Sequence, residues 1–489
     1  MFNCLCVSVF VGLTHALPNF VFVLTDDQDL VLRSLDYMNK TTKLVANEGV
    51  TFTNFFVNSP ICCPSRSTIL TGKYAHNCHV FNNSVEGGCS GPEWQKEHER
   101  GSVAAILRSK GNYRTFYAGK YLNQYGEKNT GGVKHVPEGY DWWLGLQGNS
   151  KYYNYTLSIN GTGQFFENEY LTDQITKYAL DFLNQKSTIE SNFFMMLAPP
   201  ACHAPFTPAP RHSNLFPDLK TLRTLPFNVT PVHKHWLVQM PPEILPSDVT
   251  VLDEIYKNRI RTLQAVDDMV KVIINKLQEV NVLSNTYFIL ASDNGFHIGQ
   301  FTQPWDKREP YESDIHVPLL IRGPNISKKV LSEFPVAAVD ILPTILDLAK
   351  IEKKDSDGQS FKDELFRRES PPFTKNILVE YWGEADSSSI DPQCPWSFDN
   401  ELSQCVLDAW CKCQDSRNNT YSCLVALSDH SKFKFCVFEG GFIEAYNLVE
   451  DPHEMHNLKL QKIEVAHYYS ILEQFKHCEG TSCLINYKI

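Results

Sequence analysis

The chain has 489 residues, 43% apolar and 21% charged, with a formal net charge of −11. This size and balance exclude a disordered or fibrous chain and predict one large α/β unit with a smaller one beside it. No Lys/Arg block and no repeated aromatic–basic pattern interrupts the acidic balance, so nucleic-acid binding through a broad basic face is not expected.

Residues 1–16, MFNCLCVSVFVGLTHA, carry a short apolar run from Leu5 to Leu13 and end on Ala16, the pattern of a secretory signal, although no Lys or Arg precedes the run. The run is too short for a spanning helix, and no later stretch offers about 20 continuous apolar residues, so no membrane span is expected. Five later segments share one design, an apolar run that stops abruptly at polar residues: FVFVLTDD (20–27), YRTFYAGKY (113–121), FFMMLAPPACHAP (193–205), TYFILASDNG (286–295) and VPLLIRGP (317–324). Continuous apolar strands suit a sheet covered on both faces. Helices are predicted between them at 65–71, 102–110, 173–185, 252–278 and 340–349, which gives an α/β fold with a large mixed sheet flanked by helices. A polar connector at 362–375 then divides a large unit, 17–365, from a smaller cysteine-rich unit, 366–489. In that second unit NILVEYWG, HSKFKFCVF and GFIEAYNLV read as strands of a small antiparallel sheet, with a terminal helix near 463–476.

Sequons at Asn39, Asn82, Asn154, Asn160, Asn228, Asn325 and Asn418 agree with a secretory route and are candidate N-glycosylation sites. There are 15 cysteines. Removing Cys4 and Cys6 with the signal leaves an odd number, so at least one is expected to serve outside disulfides. Cys394, Cys405, Cys411, Cys413, Cys423, Cys436, Cys478 and Cys483 crowd the C-terminal region, where structural disulfides are expected.

In an open α/β sheet, ligands gather beyond the carboxyl ends of the strands. Asp26, Asp27, Lys120, His203, Asp293 and Asn294 fall at such ends. Adjacent buried carboxylates need compensation, and four oxygen-bearing side chains suit a hard divalent cation, Ca²⁺ or Mg²⁺. Arg66, Lys120, His203 and Lys307 are able to surround a tetrahedral anion. The stretch SPICCPSRSTILTGKY (59–74) sets Cys62 and Cys63 before Pro64, Ser65 and Arg66 at a helix start, where a thiolate is favoured. Pro64 lacks an amide that a thiol-phosphatase cradle would use, which disfavours direct cysteine catalysis; burial or disulfide bonding of the pair stays open.

The signature Cys62-Cys63-Pro64-Ser65-Arg66 followed by STILTGK, with LTDDQD (24–29), AGKYLNQY (118–125), ACHAP and SDNGFHIGQ (292–300) in order, resembles the formylglycine-dependent sulfatase family over nearly the whole chain. The resemblance implies the alkaline-phosphatase/sulfatase-like fold and conversion of Cys62 to formylglycine (3-oxoalanine) by the formylglycine-generating enzyme. The hydrated aldehyde would be the nucleophile, and a sulfated enzyme intermediate would collapse by releasing sulfate. It further implies Ca²⁺ on Asp26, Asp27, Asp293 and Asn294, with Arg66 steadying the formylglycine and Lys120, His203 and Lys307 on the sulfate or the leaving oxygen.

Many members carry a histidine two residues beyond the lysine matched by Lys120. Leu122 and Asn123 here resemble the branch acting on glucosamine 6-sulfates, which implies 6-O-sulfated heparan or keratan sulfate as substrate. Asn123, Lys234, His235 and His297 are candidate substrate contacts. A lysosomal or secreted location and a candidate homodimer complete the expectation. The alternatives are an extracellular endosulfatase-like activity, a two-metal phosphatase or phosphodiesterase, which CCPSR disfavours, and a noncatalytic glycan-binding glycoprotein.

Overall fold

The computed structural model describes residues 17–239, 245, 249–352, 355–369, 371–384, 403–406 and 412–485, with 403–406 and 412–415 as backbone only. The expected signal at 1–16, Cys394, Cys411 and the side chains of Cys405 and Cys413 lie outside the described residues.

A ten-stranded sheet runs in the order Val330–Ser332, Val50–Phe52, Leu319–Arg322, Thr286–Ser292, Asn19–Thr25, Phe193–Ala198, Arg114–Gly119, Trp142–Leu146, Tyr155–Ile159, Thr162–Phe166. The five strands from Thr286–Ser292 to Trp142–Leu146 are mutually parallel, and antiparallel pairs flank them on both sides, so the sheet is mixed. All seven residues of Asn19–Thr25 are buried. Alternate side chains enter different cores: Phe20, Phe22 and Leu24 join the helices Cys62–Thr71, Val103–Gly111 and Ile341–Leu348, whereas Val21 and Val23 join Leu171–Asn184 and Thr250–Glu279. Burying each such Phe, Val or Leu stabilises the fold by roughly 1.5–3 kcal/mol, which is why these strands are apolar on both faces.

Thr374–Tyr381, Tyr421–Ser428, Lys432–Phe438 and Ile443–Asn447 form an antiparallel four-stranded sheet in that order, and the helix Lys462–Lys476 packs on it. Ile377, Leu424 and Phe435 share one apolar core with Phe20 and Leu342, so the small sheet is built onto the large unit. Six strands of these two sheets were not anticipated: Val50–Phe52, Val330–Ser332 and Trp142–Leu146 of the large sheet, its hairpin of Tyr155–Ile159 and Thr162–Phe166, and Tyr421–Ser428, which lies in what reads as a cysteine-rich segment. The hairpin turns at Asn160 and Gly161, both at positive φ.

Cys63 bonds Cys89, Cys423 bonds Cys436 directly across two strands, and Cys478 bonds Cys483. Cys62 is a free buried thiol, as the odd count suggested, but so are Cys78 and Cys202. Five sequon asparagines, Asn39, Asn154, Asn160, Asn325 and Asn418, are exposed; Asn82 and Asn228 are half-buried and use their side-chain oxygens on Ser84 and on the Leu245 amide.

Candidate active site

Four adjacent parallel strands deliver the expected residues to one edge of the sheet. Asp293 and Asn294 follow Thr286–Ser292, Asp26 and Asp27 follow Asn19–Thr25, His203 lies just beyond Phe193–Ala198, and Lys120 follows Arg114–Gly119. The chain bends sharply at these ends: Asp27 adopts φ 61°. Its amide donates to Asp293 Oδ1 at 3.0 Å, and its carbonyl accepts from Arg259 Nη2 at 2.8 Å.

Cys62 opens the helix Cys62–Thr71, which is buried along its length and stops at Gly72, whose φ of 67° suits a residue without Cβ. Pro64 sits in the first turn, where a missing amide costs the helix nothing. The helix start is pinned on both sides, by the Cys63–Cys89 bridge and by the Cys63 amide donating to Asn83 Oδ1 at 2.9 Å. One turn on, Arg66 projects under the strand ends. Its Nε donates to Asp293 Oδ2 at 2.7 Å, its Nη1 to the Lys120 carbonyl at 2.8 Å, and its Nη2 lies 3.6 Å from Asp26.

Cys62 Sγ lies 3.6 Å from Asp26 Oδ1 and accepts from Lys307 Nζ at 3.4 Å. Lys307 Nζ also donates to Asp27 Oδ1 at 2.5 Å. Lys120 Nζ donates to both Asp26 oxygens, at 3.0 and 2.8 Å. His203 Nδ1 faces its neighbour's carbonyl, Ala204 O, at 2.7 Å, which turns Nε2 toward Asp27 Oδ2 at 4.0 Å. His203 is 15% exposed in its side chain, while Asp26, Lys120 and Asp293 are sealed.

The electrostatics follow from this crowding. Burial would raise the Asp26 carboxyl, but Lys120, His203, Arg66 and Lys307 outweigh it and hold Asp26 well below the usual carboxylate range. Asp27 is lowered in the same way, against burial, chiefly by Lys307. At Asp293 burial prevails over Arg66 and pushes the carboxyl up to about 6. Burial lifts the Cys62 thiol to about 12, so it is no thiolate nucleophile at neutral pH. Burial, seconded by Lys307, lowers His203 to about 4.

The donor set fits a hard cation. Asn294 Nδ2 donates to Asp27 Oδ1 at 2.8 Å, while its buried Oδ1 has no hydrogen-bond partner. An unpartnered amide oxygen beside carboxylates is an oxygen ligand held ready. The atoms gathered most tightly, within 4.8 Å of one another, belong to Asp26, Asp27, Cys62 and His203. Asp293 stands one step back, its Oδ1 on the Asp27 and Asn294 amides and its Oδ2 on Arg66.

The four candidate substrate contacts separate. Asn123 is buried beside the Cys63–Cys89 bridge, its carbonyl 3.2 Å from Cys89 Sγ and its Oδ1 without a hydrogen-bond partner. His297 pairs through Nδ1 with Asp314 at 3.0 Å. Lys234 and His235 are buried where the small sheet meets the large unit, Lys234 on Tyr446 and Glu454 and His235 stacked on Phe438 at 4.3 Å. Burial removes both from direct reach of a sugar.

Three residues at the site had not been singled out. The Ser150 hydroxyl donates to Asp26 Oδ2, the Tyr152 hydroxyl donates to the His203 carbonyl at 2.8 Å, and Arg259, stacked 4.0 Å over Phe296, ties the Asp27 carbonyl to Asp29. Ser150 and Tyr152 belong to NSKYYNY, a polar turn with no chemical signature, and Arg259 reads as one more charge on a long helix.

A family model described as Sulfatase matches residues 18–351. Over 95% of its length the chain is 45% identical to an N-acetylglucosamine-6-sulfatase of Capra hircus, covering 84% of that protein. It is 44% identical to the Homo sapiens protein of the same name, over 93% of this chain and 83% of that one. Among solved structures, a protein in complex with its substrate D-glucosamine-2-N,6-O-disulfate matches with a TM-score of 0.72 over 94% of this chain and 96% of that one; at 22% identity this likeness bears on the fold alone.

Proposed function

The chain belongs to the sulfatase family, and we propose that it hydrolyses 6-O-sulfate esters of glucosamine and N-acetylglucosamine residues in heparan and keratan sulfate. The observation that carries this reading is the Cys62 side chain, held at a helix start between the Asp26 carboxylate and the Lys307 ammonium. A buried, protonated thiol there is a poor nucleophile, but it is the substrate for oxidation to formylglycine. Once formed, that group supplies as its hydrate one hydroxyl to attack sulfur and a second whose oxygen expels sulfate.

The chain's own residues do the rest. Lys120 pairs with Asp26 and Lys307 with Asp27, and together they bring positive charge to where the sulfate oxygens would carry negative charge. Arg66, hydrogen-bonded through Nε and Nη1, holds the helix start against the strand ends, with Nη2 3.6 Å from Asp26. His203, the most exposed member, directs Nε2 into the site and is placed to protonate the departing sugar oxygen. Asp26, Asp27, Asp293 and Asn294 would hold Ca²⁺, which when bound polarises the ester and favours the ionised nucleophile. The sequons support a protein of the secretory route, and we place it in the lysosome, with secretion as the other outcome.

The test is protein made together with the modifying machinery. Mass measurement of the peptide spanning 59–73 is expected to show the thiol of Cys62 replaced by an aldehyde oxygen. The same sample is expected to release sulfate from N-acetylglucosamine 6-sulfate and leave N-acetylglucosamine 6-phosphate intact. An unmodified Cys62 in that preparation sinks the mechanism, and preferred turnover of the phosphate sinks the substrate class.

A further inference from the structure

Lys307 is followed by a residue with an uncommon backbone. Arg308 adopts φ 104°, where an L side chain costs roughly 1–3 kcal/mol and persists only if its surroundings impose it. Here the surroundings come largely from the small sheet. The Arg308 guanidinium is held by Asp306 from its own segment and by Glu384, 3.1 Å from Nε, three residues past Thr374–Tyr381. The Arg308 carbonyl accepts from the Tyr421 hydroxyl at 2.9 Å, and the Pro310 carbonyl from Lys434 Nζ at 2.9 Å. Tyr421 opens Tyr421–Ser428, and Lys434 lies within Lys432–Phe438. At the other end of the same short segment, Lys307 Nζ reaches Asp27 Oδ1 and Cys62 Sγ.

We propose that Tyr421 is a positioning residue for Lys307: by holding the Arg308 carbonyl, its hydroxyl fixes the backbone from which Lys307 reaches Asp27 and Cys62. The proposal rests on the reading of Cys62 and Lys307 as part of the reaction centre. Its geometry is economical, because one hydroxyl acts one residue away from the ammonium. The Tyr421 ring lies between Tyr381 and Phe438, with centroids at 5.6 and 5.2 Å, so Phe fills the same space and only the hydroxyl is lost. Releasing the carbonyl lets Arg308 relax toward an ordinary φ, and that rotation carries Lys307 with it. A displacement of about 1 Å in such a group costs up to roughly 10²-fold in rate.

The experiment compares fully modified wild type, Tyr421→Phe and Glu384→Gln. The last loosens the same segment through the guanidinium and serves if the first does not fold. Two readouts are taken: steady-state hydrolysis of N-acetylglucosamine 6-sulfate, and the rate at which Lys307 is reductively methylated, followed by peptide mass. Tyr421→Phe is expected to lower kcat about 5- to 50-fold with KM within about twofold. Its Lys307, buried and paired in the wild type, is expected to label several-fold faster, while the unfolding midpoint moves by only a few degrees. Folded variants whose Lys307 labels at the wild-type rate overturn the proposal, whatever their activity. Wild type that is inactive on the sugar sulfate instead overturns the functional reading, and the labelling rates still decide the positioning.

Discussion

At the strand ends Asp26, Asp27 and Asp293 face Arg66, Lys120 and Lys307; where the small sheet meets the large unit, Glu312, Glu444 and Glu454 face Lys234 and Lys434. Both clusters are buried, and both shift protonation. Lys434 and His316 overcome burial to bring Glu312 down to about 2, and burial lowers Lys234 despite Glu444 and Glu454. The difference lies in what each group has left to give. Lys234 is spent: it donates to the Tyr446 hydroxyl and the Glu454 carbonyl, inside three rings, Phe301, Tyr311 and Tyr446, at 4.1, 4.0 and 4.7 Å. Such a cage is a cation–π joint between domains. The strand-end cluster instead keeps an unpartnered Asn294 oxygen, a thiol at its centre and a histidine at its opening. Buried charge and perturbed pKa therefore nominate both regions, and both keep an unpartnered atom, His235 Nδ1 at the joint; what separates a reaction centre from a rivet is the thiol set among carboxylates and lysines and the histidine at the opening.

The sharpest way to break this distinction is at its centre. Cys62→Ala is expected to lower turnover of the sugar sulfate by roughly 10³-fold or more while the unfolding midpoint stays near that of wild type; comparable residual turnover would remove Cys62 from the chemistry. Next, the two lysines are expected to fail in opposite ways. Lys307→Ala should lose about 10²- to 10³-fold in kcat with the fold retained, whereas Lys234→Ala should lose about 3–5 kcal/mol in urea unfolding, because it strands buried carboxylates, and keep kcat in the molecules that remain folded. If Lys234→Ala instead unfolds normally and loses kcat, the two regions have been told apart wrongly.

Asn294→Ala, which removes the unspent oxygen, is expected to weaken calcium binding by roughly 10- to 100-fold in titration calorimetry. The neighbour of the central thiol should matter only to stability: replacing Cys63 and Cys89 together with Ala opens a bridge across 26 residues and is expected to cost about 2–4 kcal/mol, with kcat of the modified protein preserved.

The smallest expected effect concerns pH. His76 Nδ1 meets Glu380 at 3.0 Å and Nε2 meets the Cys478 carbonyl at 3.2 Å, near Asp357. Burial opposes its protonation, but Glu380 and the carbonyl prevail and hold His76 above its ordinary value. The proton is thus bound more tightly in the folded state. Its contribution to stability is full below about pH 6.5, the unfolded histidine value, and is lost as pH rises through the higher folded value. The gap in melting temperature between wild type and His76→Gln should therefore be wider at about pH 5 than at about pH 8.5; a gap that widens with pH would reverse the assignment.

What was legible in the sequence had a physical marker. The central strands are apolar on both faces because the sheet is covered twice, and the polar residues where each run stops land together because the strands are parallel and adjacent. FVFVLTDD and TYFILASDNG thus mark where Asp26, Asp27, Asp293 and Asn294 gather. The formylglycine-dependent resemblance rested on one contiguous motif, CCPSR, and contiguous motifs survive in sequence. Groups that act from a distance leave no such mark. Tyr421 and Glu384 sit in the C-terminal unit, and Ser150 is one serine in a polar turn. The Lys234–His235 pair misled for the complementary reason, since a buried lysine and one awaiting a sulfate have the same letter. Cysteine parity could isolate Cys62 only if every other cysteine paired, and Cys78 and Cys202 remain buried thiols.

Cys62 is 1% exposed and sits beside a cysteine already tied to Cys89. On the reading that Cys62 becomes formylglycine, a modifying protein would have to reach this thiol before the fold closes over it. The modification would then have a deadline, set by how quickly four distant strands come together over residue 62. A variant that folds faster, or closes its Cys63–Cys89 bridge earlier, would emerge better folded and less often armed, so the specific activity of a preparation records the history of its folding as well as its sequence.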